Sequence, residues 1–310
     1  MAEGKFFSGS AAASQTGVSR AAVSKQIARL RAKGYNIESV RGRGYLLVPR
    51  FDGLLPLEIL ARLRTRTLGR NPVLLDAVDS TQNFLRGLAE KGAAEGTLVV
   101  ALEQRSGKGR ASRHWSSPPG GLWFSLLLRP SLPMRQVSLL TLMFGVAVAR
   151  SLMLQGIPAS LKWPNDVLVR GRKICGILLE ASSDPEKVEY VIAGIGLNVN
   201  FSTADLPEGV RESAVSTLDI LGRRLDRAEL LSTILMNAEA MYERLPSSIG
   251  EILEGWRLFS STLGSPVKIS SYGRVVEGRA LDIAEDGALL VETEGGVERV
   301  YSGDVTVKET

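Results

Sequence analysis

Leu161-Lys-Trp-Pro-Asn-Asp-Val-Leu-Val169, followed after three residues by Lys173-Ile-Cys-Gly-Ile-Leu-Leu-Glu180, sets charged groups directly against runs that read as buried strands. Asn165-Asp166 after Pro164 is turn chemistry, so residues 161–169 and 173–180 are expected to form a hairpin of two buried strands. Lys162, Asp166 and Lys173 are costly beside apolar strands unless they are paired or used. On either side of this pair, residues 73–75, 97–103, 123–129 and 190–199 also read as strands. Residues 139–155 are nearly all apolar and read as a buried helix, and residues 227–244 as an amphipathic one. A unit that mixes strands and helices in this way is a central α/β domain. The end of the chain changes character: residues 266–270, 275–283, 288–292 and 297–301 are short strands split by Gly-containing turns, a pattern that predicts a small β-barrel.

At 310 residues the chain is long enough for two or three domains. Its 44% hydrophobic and 23% charged content excludes general disorder. No uninterrupted apolar run approaches the ~20 residues that span a bilayer, so no membrane partner is expected. Residues 1–10 lack the apolar stretch of a secretory signal. A single cysteine, Cys175, excludes an internal disulfide, and a single histidine, His114, excludes a multi-histidine metal centre. The expected compartment is reducing and cytoplasmic.

The net charge of +5 is unevenly spread. Residues 1–50 carry nine Lys/Arg against Glu3 and Glu38, and residues 101–150 carry seven against Glu103. Two separated basic segments suggest two anionic partners. In the first, residues 19–33 read as one helix with Val23, Ile27 and Leu30 as its buried stripe. Ser19 is its expected N-cap. A short helix over 9–15 and a turn at 16–18 complete a helix-turn-helix. Arg20, Ser24, Lys25 and Gln26 fall on or near its exposed face. Residues 37–48 read as a hairpin with Arg41-Gly-Arg-Gly44 at its tip, where Arg41 and Arg43 would meet phosphates. Residues 49–72 read as a connector with a helix near 57–63.

Three more segments carry chemistry. Asp79-Ser-Thr-Gln-Asn83 is a polar cluster entering a helix, and a plain helix cap accounts for it when it is taken alone. Gln104-Arg-Ser-Gly-Lys-Gly-Arg-Ala-Ser-Arg-His-Trp115 is a glycine-spaced cationic loop, in which free N–H groups and cations could act together on an anion. It lacks the Gly-x4-Gly-Lys-Ser/Thr of a Walker A loop. Ala193-Gly-Ile-Gly-Leu-Asn198 places two glycines in a strand, as where a ligand comes close.

Together these motifs resemble the biotin protein ligases. Gly107-Lys-Gly-Arg110 with Arg113 and Trp115, Lys162-Trp-Pro-Asn-Asp166, Lys173 with Gly176, and Gly194-x-Gly196-x-Asn198 follow that family's order and spacing. The basic front unit, with Ser19-Arg-Ala-Ala-Val-Ser-Lys25 and Arg41-Gly-Arg-Gly-Tyr45, resembles the bifunctional members that are also biotin operon repressors. The resemblance implies an α+β chain with three parts. These are a winged helix-turn-helix over 1–50, a class II synthetase-like ligase domain over 65–258 and an SH3-like barrel over 262–310. The implied activity joins biotin to ATP as biotinyl-5′-AMP and transfers it to a lysine of the biotin carboxyl carrier protein. ATP, Mg²⁺ and biotin are the implied small molecules, with no tightly bound prosthetic group. Operator DNA and a homodimer formed with biotinyl-AMP are the further implied partners.

By the same resemblance Ser80, Thr81, Gln82 and Gln104 bind biotin, with Lys108, Gly109, Arg110 and Lys173. Lys108, Arg110, Asn165, Lys173 and Asn198 bind the nucleotide. Lys173, Arg110 and Asp166 are the implied catalytic residues, and Asn165 supports Mg²⁺. The implied DNA contacts are Ser19, Arg20, Ser24, Lys25, Gln26, Arg41 and Arg43. The chain departs from the family pattern at Lys108, where Arg is usual, at Ser112, where Gly is usual, and before residue 9, where a first helix is expected and lacking. Two other readings remain open: a catalytically inactive, ligand-sensing DNA-binding regulator, and a lipoate ligase.

Overall fold

The computed structural model describes residues 6–183, 188–271 and 273–307. The chain opens with α1 (Gly9–Thr16) and α2 (Arg20–Ala32), then the hairpin β1 (Ile37–Val40) and β2 (Gly44–Leu47). Ser8 and Ser19 cap the two helices through their side chains, and Gly17 turns between them at φ 68°. A left-handed turn at that position suits glycine because no Cβ meets the backbone. Val23 and Ile27 pack with Ala12, Tyr35, Ile37 and Leu47 in a small core. Arg31 ties α2 to the wing: its Nε donates to the Ile37 carbonyl at 2.8 Å and its Nη2 to Ser39 Oγ at 2.6 Å. Phe7 bridges Tyr45, and among the described residues no helix precedes Gly9. Residues 1–5, where the expected lack of a first helix in part falls, lie outside the described residues.

The connector forms α3 (Pro56–Arg62), which is shared between two cores. Leu57 and Ala61 pack on the front unit, while Ile59 joins the main core. Next come β3 (Asn71–Val78), α4 (Thr81–Ala89), β4 (Thr97–Gln104), β5 (Leu122–Leu128), α5 (Ser138–Leu154), β6 (Ser160–Lys162), β7 (Asp166–Val169), β8 (Arg172–Ser183) and β9 (Val188–Leu197). Among the described residues these strands make a seven-stranded sheet in the order β3-β4-β5-β9-β8-β7-β6. The β3–β4 pair is parallel and every other pair is antiparallel. Strand periodicity sorts its faces. Leu98, Val100, Phe124, Leu126 and Leu128 pack on the α5 side, and Val99 and Leu127 on the α4 side with Leu85 and Ala89.

Residues 161–169 differ from expectation. They are not one strand but a hairpin in themselves, because Trp163-Pro164-Asn165 turns the chain and pairs Lys162 with Asp166. Proline cannot donate to a ladder, so a continuous strand through Pro164 would leave one carbonyl unpaired.

After β9 the chain runs through α6 (Glu208–Arg211), α7 (Thr217–Leu221), α8 (Arg227–Tyr242) and α9 (Ile249–Phe259). Helix α5 packs beneath the sheet against α8 and α9. The stretch Met134–Leu154 is long and apolar enough to cross a membrane, yet 72% of its apolar window is buried, which makes it a core helix here. The last strands are β10 (Pro266–Ser271), β11 (Arg274–Ile283), β12 (Leu289–Thr293), β13 (Gly296–Val300) and β14 (Asp304–Val307). They form an antiparallel sheet in the order β13-β12-β11-β10-β14, with β14 additional to the four expected strands. Trp163 joins this sheet to the central one: its N–H donates to Thr262 Oγ1 at 3.0 Å and its Nε1 to the Gly287 carbonyl at 3.2 Å.

Candidate functional site

One row of paired residues crosses the central sheet: Trp123, Gly196, Gly176, Asp166 and Lys162. Cross-strand partners point to the same face, so the two glycines leave a trough between Trp123 and Asp166. Trp115 fills part of that trough. A Cβ at Gly196 would stand 2.5 Å from Trp115 Nε1, so the indole requires glycine there. Gly194 does the same for Gln82, whose Cδ would lie 2.5 Å from such a Cβ. Above the trough is a cavity of about 280 Å³.

A β-bulge aims Lys173 into this cavity. Val167 pairs with Cys175 and Leu168 with Lys173, which leaves Ile174 as the extra residue on β8. Ile174 and Cys175 are both fully buried in the core, and the irregularity turns Lys173 to the glycine face. Its Nζ lies 2.7 Å from Asp166 Oδ1 and 5.1 Å from the centre of a Trp115 ring. The backbone of Lys173 is fixed by bonds to Ser213 and Val215, at 2.7 and 3.0 Å.

The 107–115 segment folds back on itself over the cavity, with Trp115 N–H donating to the Gly107 carbonyl at 2.8 Å and Gly109 N–H to the Arg113 carbonyl at 2.7 Å. Each of its cations is anchored. Arg110 Nη1 donates to Asn165 Oδ1 at 3.2 Å and to the Gly303 carbonyl at 3.1 Å. Arg113 pairs with Asp304. Lys108 Nζ donates to Asn83 Oδ1 at 2.7 Å. At the tip Ala111 and Ser112 adopt φ of 52° and 59°, a left-handed geometry that side chains resist. At the other end of the cavity, Thr81 N–H and Oγ1 both donate to Gln104 Oε1, at 2.9 and 3.0 Å, and Gln104 Nε2 donates to Ser117 Oγ at 2.9 Å. Gln82 Nε2 donates to the Leu178 carbonyl at 3.2 Å.

The structure therefore brings Thr81, Gln82, Gln104, Lys108, Gly109, Arg110, Asn165, Asp166 and Lys173 to one cavity. Ser80 is buried at the N-cap of α4 and does not line it. Asn198 lines a small neighbouring cavity with Lys173 and Trp115, and its Nδ2 donates to the Val215 carbonyl at 3.0 Å. On the front unit Ser19, Arg20, Ser24, Lys25, Gln26, Arg41 and Arg43 are all exposed. Gly303 and Asp304, from the last sheet, are site neighbours that no local motif announced. Asp304 lies 191 residues from its partner Arg113, so no sequence pattern could have paired them.

Two features bound the chemistry. Burial pushes the Cys175 thiol far up, so it stays protonated and is no nucleophile. No group of three His, Cys, Asp or Glu side chains that could hold a metal occurs among the described residues. At Asn165, the expected Mg²⁺ contact, Oδ1 is already taken by Arg110 and Nδ2 by the Ile177 carbonyl at 3.0 Å.

Comparison with known proteins places these features in a family. The Biotin/lipoate A/B protein ligase family matches residues 74–198, the Biotin protein ligase C terminal domain residues 262–308, and an HTH domain residues 1–46. The bifunctional ligase/repressor BirA of Bacillus subtilis is 38% identical over 97% of this chain and 94% of its own length. That of Escherichia coli is 29% identical over 99% and 95%. A solved structure of the biotin protein ligase from Aquifex aeolicus in complex with biotin and ATP is 33% identical, with a TM-score of 0.65 over 78% of this chain and all of that one. With the helix-turn-helix, the ligase sheet and the C-terminal sheet all present, the chain belongs to the biotin protein ligase family, among its bifunctional ligase/repressors.

Proposed function

We propose that this chain joins biotin to ATP as biotinyl-5′-AMP, passes the biotinyl group to a lysine of the biotin carboxyl carrier protein, and represses transcription in response to biotin. The observation that carries the reading is the convergence of Lys108, Arg110 and Lys173 on one cavity that has neutral polar groups at its other end. In the first step a biotin carboxylate oxygen attacks the α-phosphorus and pyrophosphate leaves. Two anions meet, and fixed cations offset both their repulsion and the charge gathering on the leaving group. Lys173, steadied by Asp166, and Arg110, steadied by Asn165, are the residues assigned to that work. Thr81, Gln82 and Gln104 hold the ureido ring, with Ser80 behind them. Lys108 and Gly109 belong to the lid, and Asn198 to the nucleotide side. Mg²⁺ enters with ATP as part of the substrate, since magnesium is commonly held by phosphates and few protein ligands. In the second step the acceptor amine attacks the acyl carbon and AMP leaves. Neither step uses a covalent enzyme intermediate, which suits a chain whose one thiol is buried.

The working units are 1–50 for DNA, 65–258 for ligation and 262–310 for the closing sheet. A homodimer formed with biotinyl-AMP would present two α2 helices to two half-sites. The setting is the cytoplasm, where carrier protein and operator both occur. The deciding experiment is mass spectrometry of a carrier domain incubated with the chain, biotin and Mg-ATP. A gain of one biotin is expected. No gain, together with no biotin-dependent exchange of pyrophosphate into ATP, would overturn the proposal and leave the inactive regulator and the lipoate ligase. Competition by lipoate would favour the lipoate ligase.

A further inference from the structure

Resting on the adenylating activity proposed above, we propose that Asn83 and Glu180 are positioning residues that fasten the 107–115 loop over the cavity through Lys108, and so set how long the acyl-adenylate is held. Thr81 and Gln82 line the cavity, whereas the next residue along α4, Asn83, is exposed. Its Oδ1 accepts from Lys108 Nζ at 2.7 Å. Glu180, on β8, brings Oε1 to 3.7 Å from the same ammonium. Arg86 clamps the two acceptors together, donating to Asn83 Oδ1 at 3.3 Å and pairing with Glu180. Lys108 is therefore drawn to the α4 and β8 rim, while Arg110 and Arg113 hold the opposite side of the loop on Asn165, Gly303 and Asp304. Between these anchors Ala111 and Ser112 sit in the left-handed region, a conformation the loop would leave if released.

The chemistry makes fastening matter. An acyl-adenylate is a mixed anhydride: water or a stray amine attacks its acyl carbon, and AMP leaves with the bonding electron pair. A lid that opens early loses the product before the acceptor lysine arrives. Lysine at 108 suits a single strong acceptor and a nearby carboxylate, because an ammonium is a compact charge without the planar fork of arginine.

The test uses the full chain and its Asn83→Ala, Glu180→Gln and Asn83→Ala/Glu180→Gln variants, with biotin and Mg-ATP. Single-turnover pyrophosphate release measures synthesis, and biotinyl-hydroxamate formed with added hydroxylamine measures exposure of the adenylate. Synthesis should stay within about twofold of the parent chain, while hydroxamate formation rises about threefold in each single variant and more in the double one. Lys108→Met, whatever it does to synthesis, should raise the hydroxamate formed per pyrophosphate released, and Asn83→Ala should not raise that ratio further in the Lys108→Met background. Unchanged hydroxamate formation in the double variant would overturn the proposal. So would a full Asn83→Ala effect in the Lys108→Met background, since the residue would then act by another route. Failure of the parent chain to release pyrophosphate would instead sink the adenylating activity itself.

Discussion

Lys173 faces the cavity because Ile174 is the spare residue in the pairing of β7 with β8. A sequence reading can flag a lysine between apolar strands as costly, but not the bulge that re-aims it, because the register depends on strands that meet only in the fold. The same holds for Gly196, whose missing side chain is occupied by Trp115 from a loop some 80 residues earlier. Lys173→Ala should lower biotin-dependent pyrophosphate exchange by about 10²-fold or more, the usual cost of losing a preorganised group at a developing charge, with the melting temperature unchanged within a few degrees. Gly196→Ala should be as damaging to exchange, since its Cβ cannot coexist with the indole, and Trp115 fluorescence should shift with it. An alanine at 196 that leaves both unaltered would show that the trough is not tightly filled.

The elements divide into those written locally and those that are not. Helix α2 reads directly from its cap and stripe, and its observed span, Arg20–Ala32, falls inside the expected one. Helix α5 was legible from apolarity alone. Strand β14 was not, since Asp304-Val-Thr-Val307 is too short to stand out and owes its strand form to pairing with β10. Helix α9 docks on that last sheet through Arg257 and Asp282, with Nε to Oδ1 at 2.6 Å. The hydrogen bond from Arg257 holds the Asp282 carboxyl below the usual carboxylate range, against the opposing effect of burial. A carboxyl held low in the folded state stabilises the fold above its unfolded pKa, about 3.9, and that stabilisation is lost as pH falls through the lowered folded value. Both side chains are about two-fifths exposed, so the pair is worth no more than about 1 kcal/mol. Asp282→Asn should therefore melt slightly lower than the parent at pH 7, and the gap should close as the pH falls through the lowered folded value. A gap that persists in acid would point to lost shape rather than lost charge.

For the whole molecule, the exposed basic face proposed to meet DNA and the cavity lie on separate units joined by α3 and by Asp52, whose carboxylate is held by Arg224 and Arg227 at 2.7 and 2.6 Å. Arg20→Ala or Arg43→Ala should weaken operator binding in a gel shift and leave carrier biotinylation intact; an equal loss of both would contradict separate sites. Affinity for DNA should drop steeply with salt, with a slope near −0.9 per phosphate neutralised in a log–log plot.

Helix α5 has a consequence outside the native state. Once heat loosens the packing around Met134–Leu154, a segment with the length and greasiness of a bilayer anchor meets water. Reassociation between loosened chains should then outrun refolding, so calorimetric scans should depend on heating rate and give no second endotherm after cooling, while mild detergent should suppress the precipitate. The shelf life of this protein would thus be governed by how seldom its middle opens rather than by the depth of its free-energy well.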